Sequence, residues 1–182
     1  MLTIVIPKSE KFNEATNEFI YTKEQKLQLE HSLVSLSKWE SRWHKPFLSS
    51  KKTSKTQEEI IDYIRCMTIT QNVDPAIYYN LSQENCDRIQ AYIDDPMTAT
   101  TFNELQKARP STEIITSELI YYWMIAYNVP VEFEKWHLNR LLTLIKVCSI
   151  KNTPPKKMSK REIMSRNAQL NASRRKAHNS KG

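Results

Sequence analysis

Hydrophobic positions along this chain follow two periods. Met1–Ile6 (MLTIVI) is short, β-branched and alternating, and Glu18–Thr22 (EFIYT) has the same character. A period of two predicts strands, here paired as a small hairpin across Pro7–Asn17. An isolated hairpin is marginal in water, so it must pack on helices or on another subunit. From Lys26 the period lengthens: Leu29, Leu33, Leu36, Trp39 and Trp43 recur at helical spacing. That helix should stop before His44-Lys45-Pro46, because proline pushes the preceding residue toward extended backbone.

Thr56-Gln57-Glu58-Glu59 reads as a capping box opening a helix through Ile60, Ile61, Ile64 and Met67. Another helix is expected from Ser82 to Ile93, ended by Asp94-Asp95-Pro96; Met97–Thr101 is compatible with extended or irregular backbone. The strongest local pattern is an αα-hairpin. Pro110-Ser111-Thr112-Glu113 starts a helix whose stretch Leu119–Tyr127 (LIYYWMIAY) is apolar nearly all round, which predicts burial on every side. Asn128-Val129-Pro130 makes the turn. Phe133, Trp136, Leu138, Leu141, Leu142, Ile145 and Cys148 then stripe a second helix of about four turns. These two helices are the expected core.

Beyond the stiff spacer Pro154-Pro155 the composition changes. Residues 151–182 hold ten Lys+Arg and one acid, Glu162, for a charge of +9, whereas 1–150 carries 17 basic and 19 acidic residues, for −2. No Phe, Tyr or Trp follows Trp136. Ser159-Lys160-Arg161-Glu162 is a second capping box, so a helix is expected from Lys160 to about Arg175. Its thin apolar face (Ile163, Met164, Leu170) predicts partial helicity, completed on a partner. The expected fold is thus mainly α: a compact helical domain, 1–150, with a short N-terminal β-hairpin, and a basic, partly helical C-terminal arm, 151–182.

Composition narrows the chemistry. The chain has 182 residues, a net charge of +7 and one glycine, Gly182. Phosphate-cradling loops need glycine where the backbone approaches a ligand closely, so Walker A loops, dinucleotide-binding turns and the G-x-S-x-G elbow are excluded. Cys66, Cys86 and Cys148 form no C-x-x-C pair, and His31, His44, His137 and His178 fall in no ligand spacing. Reduced thiols, no metal and no cofactor are expected. The nine-residue apolar run Leu119–Tyr127 falls short of the roughly 20 residues that span a membrane, and no leader pattern opens the chain. A soluble protein that stays where it is made is expected.

Glu134, His137 and Arg140 stand at i, i+3, i+6, where a carboxylate can orient a general base, but no nucleophile accompanies them. An ordinary charge pair explains them better. Asp94-Asp95-Pro96 reads as a helix stop rather than a carboxylate pair. Trp39, Trp43, Trp123 and Trp136 read as core or interface anchors; Trp39 and Trp43 stand four apart on one helix face, whose partner is either internal or another chain, and Trp39, Trp43 and Trp136 are the candidate partner-binding residues. Lys156, Lys157, Lys160, Arg161, Arg166, Arg174, Arg175 and Lys176 form a candidate basic arm for nucleic acid, an acidic protein partner or an anionic surface, the alternative being a solubilising extension with no specific target.

Leu27–Leu48 (LQLEHSLVSLSKWESRWHKPFL) and Ile114–Lys160 resemble a group of small structural-cluster proteins of long-tailed (siphovirus-type) bacteriophages, as do Ile69–Asp74 (ITQNVD) and Pro96–Phe102 (PMTATTF). The resemblance spans most of the chain and implies a tail assembly chaperone. Such a protein is mostly helical and non-enzymatic. It works in the host cytoplasm during tail morphogenesis, binding tape measure and tail tube proteins, and homo-oligomers are possible. The +9 arm exceeds what that role requires, which leaves a second expectation: a nucleic-acid-binding phage protein acting through 151–182.

Overall fold

The computed structural model of the protein describes residues 1–13, 18–48, 55–102, 113–153 and 159–179. The chain is mainly α, with a short antiparallel hairpin at its N-terminus. Its strands are β1 (Leu2–Ile6), β2 (Ser9–Asn13), β3 (Glu18–Thr22) and β4 (Gln25–Leu29). Partners run from Leu2 opposite Leu29 to Ile6 opposite Gln25, then from Ser9 opposite Thr22 to Asn13 opposite Glu18. Both ladders keep one register, so β2–β3 is nested inside β1–β4. The interruption falls at Pro7, which has no N–H to give a ladder.

This corrects the expected pairing of Met1–Ile6 with Glu18–Thr22. The strand facing β1 is Gln25–Leu29, whose Leu27 and Leu29 alternate with polar residues and lie opposite Ile4 and Leu2. Ile4, Ile6, Leu27 and Leu29 are fully buried, while Val5 on the other face is exposed. The helix expected from Lys26 consequently starts later. It is α1 (Leu33–Trp43), opened by Ser32, whose side chain accepts from Ser35 N while Ser35 Oγ accepts from Ser32 N. This box is built from two serines, without the glutamate that marks the usual pattern.

Helix α2 (Gln57–Met67) begins with the expected Thr56–Glu59 capping box, and α3 (Gln83–Asp94) with Ser82 as cap. Between them Pro75–Asn80 forms a 3-10 helix capped by Asp74. Asn85 and Arg88 of α3 donate to Val5 O and Thr3 O, which satisfies carbonyls along the free edge of β1. On the other side, Ile69 N donates to Gln28 O at 2.8 Å and Glu30 N to Met67 O at 2.9 Å, so the end of α2 closes the edge of β4.

Helix α4 (Ser117–Ala126) is capped by Thr116 and not started at the expected Pro110–Glu113, of which 110–112 lie outside the described residues. The expected second helix of the αα-hairpin is divided. Val131–Lys135 is a 3-10 helix, and α5 (Leu138–Asn152) begins only after His137. The cause is tertiary: His137 bridges Ser32, and Leu138 N donates to His31 O at 2.7 Å, which holds this junction extended.

Two apolar clusters form. One joins the hairpin, α2 and α3 around Trp39; the other joins Leu33 and Leu36 of α1 to Ile120, Met124, Leu138, Leu141 and Ile145. Helix α1 therefore contributes to both. The chain divides into two compact units, Met1–Ser149 and Ile150–Gly182. The second contains α6 (Lys160–His178), 19 residues whose described side chains are all exposed.

Candidate functional site

The tryptophans proposed as anchors are dispersed by the fold. Trp39 is 1% exposed, its indole N–H donates to Glu59 O at 2.8 Å, and Phe47 meets it edge-on at 5.1 Å. It is a core residue, which corrects its assignment to a contact surface. Trp43 is half-buried, with its indole N–H on Asp62 Oδ2 at 2.9 Å. Arg42 pairs with the other oxygen of that carboxylate. Trp136 is half-buried, stacked on Phe133 at 3.9 Å and covered by the Arg140 guanidinium at 4.1 Å. Each ring is already engaged within the chain.

Glu134, His137 and Arg140 do not share a helix face. Glu134 sits in the 3-10 helix and accepts from the Tyr121 hydroxyl at 2.8 Å. Burial, then that hydrogen bond, push Tyr121 up to about 12. His137 turns inward; its Nε2 lies 2.9 Å from Tyr92 O. A carbonyl only accepts, so Nε2 carries the proton, and Nδ1 is left buried without a partner. The His31 ring lies 5.1 Å away, with its Nδ1 2.5 Å from the Tyr63 hydroxyl. Burial, then the neighbouring His137, lower His31 to about 4, against a smaller opposing effect of Asp94. Burial likewise pushes the hydroxyls of Tyr63 and Tyr92 well above the ordinary range. Both imidazoles are closed to solvent, so they reach no substrate in this conformation.

The surface that stands out was missed by reading α4 as buried all round. Ile120 and Met124 face the core, yet Tyr122 is 63% and Ile125 74% exposed, and Val131 just beyond is 64% exposed. On another side of α4, about 150° round the helix from Tyr122 and Ile125, Trp123 and Tyr127 line a mainly apolar groove of about 310 Å³ with Leu142, Ile145, Lys146 and Ser149 of α5. A larger groove, about 610 Å³, lies between α2 and α3, but Lys55, Asp87, Gln90 and Asp94 make it more polar. Large apolar side chains left in water on one helix face make α4 a candidate interaction site. Its sequence signal was the unbroken run Leu119–Tyr127, too apolar for one core contact.

Of the candidate basic residues, Lys160, Arg161, Arg166, Arg174, Arg175 and Lys176 lie on α6, all exposed; Lys156 and Lys157 lie outside the described residues. Cys66, Cys86 and Cys148 are free thiols, half-buried. Among the described residues no group of three or more His, Cys, Asp or Glu is placed to hold a metal ion, and no helix is long and apolar enough to cross a membrane. No protein-family model, curated protein or solved structure matches this chain.

Proposed function

We propose that this protein is a non-enzymatic assembly factor that holds partner proteins on the outward face of α4, as a tail assembly chaperone of a long-tailed bacteriophage acting in the host cytoplasm. Its partners are the tape measure and tail tube proteins. The observation that supports this most directly is the outward pair Tyr122 and Ile125 on α4, with exposed Val131 just beyond, in a segment that also carries the resemblance to the phage proteins. Apolar surface left open on a small domain is favourable to cover: about 25 cal/mol per Å² of apolar area is released on burial. A helical partner that is itself insoluble alone would supply the complementary stripe through i, i+3/i+4 and i+7 anchors.

Co-expression tests the reading. Tape measure protein produced with the wild-type chain should stay soluble and co-purify, in high salt as in low. With the Y122S/I125S variant it should precipitate, while the variant keeps its helical circular dichroism. Retention of the tape measure protein by the folded variant would remove α4 as the binding surface. Failure of the wild type to capture tape measure or tube protein would remove the assembly function.

A further inference from the structure

Helix α6 lies in a different part of the chain from the α4 surface and carries a different chemistry. Lys160, Arg161, Arg166, Arg174, Arg175 and Lys176 are its six Lys/Arg, with one acid, Glu162. At about 100° per residue these cations point round the whole helix, leaving no gap wider than about 80°. Ile163, Met164 and Leu170, exposed by 44%, 72% and 44%, stand between cations instead of on a face of their own. A membrane-surface helix needs one apolar face, and a helix held in a protein groove is read on one side only. Neither fits cations on every side.

The major groove of duplex DNA fits. It is about 12 Å wide, admits a helix of about 10–12 Å diameter, and is walled by phosphates on both sides, so cations around the helix find partners left and right. Between the arginines stand Asn167 and Asn171, four apart on one side of the helix, whose amides can pair with base edges on the groove floor. The deep, narrow major groove of A-form RNA excludes such a helix. Single strands are bound by stacking on aromatic rings, and α6 has no Phe, Tyr or Trp. We propose that α6 is a DNA-binding helix that seats in the major groove of duplex DNA, its six Lys/Arg contacting the two phosphate walls.

The test is fluorescence anisotropy of a labelled mixed-sequence 20-bp DNA duplex with the full-length chain. Affinity should fall roughly 10³-fold between 50 and 200 mM salt, the loss expected for about six phosphate contacts. The R166Q/R174Q/R175Q variant should roughly halve the log–log slope and bind at least tenfold more weakly at 50 mM salt. A168P is the decisive variant, because it keeps every charge and breaks the helix; it should also weaken binding at least tenfold. All four tryptophans precede residue 150, so their fluorescence verifies that the rest of the chain stays folded in each variant. Unchanged binding by A168P would overturn the proposal in favour of a shapeless polycation. Equal or tighter binding to duplex RNA, polyglutamate or anionic phosphatidylserine vesicles would overturn it in favour of those partners, and absence of DNA binding at 50 mM salt would overturn it outright.

Discussion

Glu40, on the last turns of α1, accepts a hydrogen bond from the backbone N–H of Ser117 at 2.7 Å, although 77 positions separate them in the chain. Its other carboxylate oxygen accepts from Phe47 N at 2.8 Å. Ser117 is the first residue of α4, where N–H groups have no partner within the helix and where the helix dipole favours negative charge. One buried acid therefore joins the end of α1, the following loop and the start of α4. Glu40→Ala should cost roughly 2–4 kcal/mol, since it orphans both donors. Glu40→Gln, which keeps an acceptor, should cost clearly less. Urea unfolding of the two variants against wild type measures both; equal losses would show that burial, and not the paired acceptor, sets the cost.

Trp39 and Ile125 should separate stability from function. Trp39→Ala empties a packed core site and should cost about 3–5 kcal/mol. Ile125→Ser changes a side chain in water and should move stability by less than about 0.5 kcal/mol. Only the second should weaken partner capture in a variant that remains folded. Thermal melts and co-purification, done on the same preparations, test the contrast.

Stability should depend on pH through His31. Its folded value, about 4, lies below the ordinary 6.5, so the unfolded chain takes up the proton first as pH falls. The stabilisation is complete above pH 6.5, declines from 6.5 toward 4 and is lost below; the whole interval amounts to about 3 kcal/mol. The Glu59 carboxyl, lowered chiefly by its hydrogen bond from Lys45, acts in the same direction but below about 4.5. His31→Phe removes only the first contribution. Urea midpoints at pH 7.5, 5.5 and 4.5 should fall more steeply for wild type than for this variant; parallel curves would refute the assignment.

A chain with glycine only at position 182 must place other residues in the left-handed region. His44 closes α1 at φ 52°, and Asn128 turns α4 toward the following 3-10 helix at the same angle. Asparagine tolerates that region and histidine does so less well. His44→Gly should raise stability by about 0.5–1 kcal/mol, and Asn128→Gly by less, as read from thermal melts. Destabilisation by His44→Gly would show that the imidazole makes a contact outweighing the backbone strain.

Local signals determined much of this protein. Proline, capping residues and helical periodicity set the starts of α2 and α3, the end of α1, and the existence of α6, because those choices depend on neighbours within one turn. Charge segregation made the basic arm visible for the same reason: it needs only counting. What tertiary structure decided was everything that requires a partner distant in the chain. Leu29 satisfies both the strand and the helix period, and pairing with Leu2 selected the strand. The helical stripe through Phe133 and Trp136 was broken by the bridge between His137 and Ser32. Most consequential is α4, apolar on every side. Its periodicity carries no direction, so only its packing against α1 and α5 chose Ile120 and Met124 for the core and left Tyr122 and Ile125 in water. An apolar residue gains the same burial energy from any neighbour, so its place in the fold follows from which neighbour the chain brings to it.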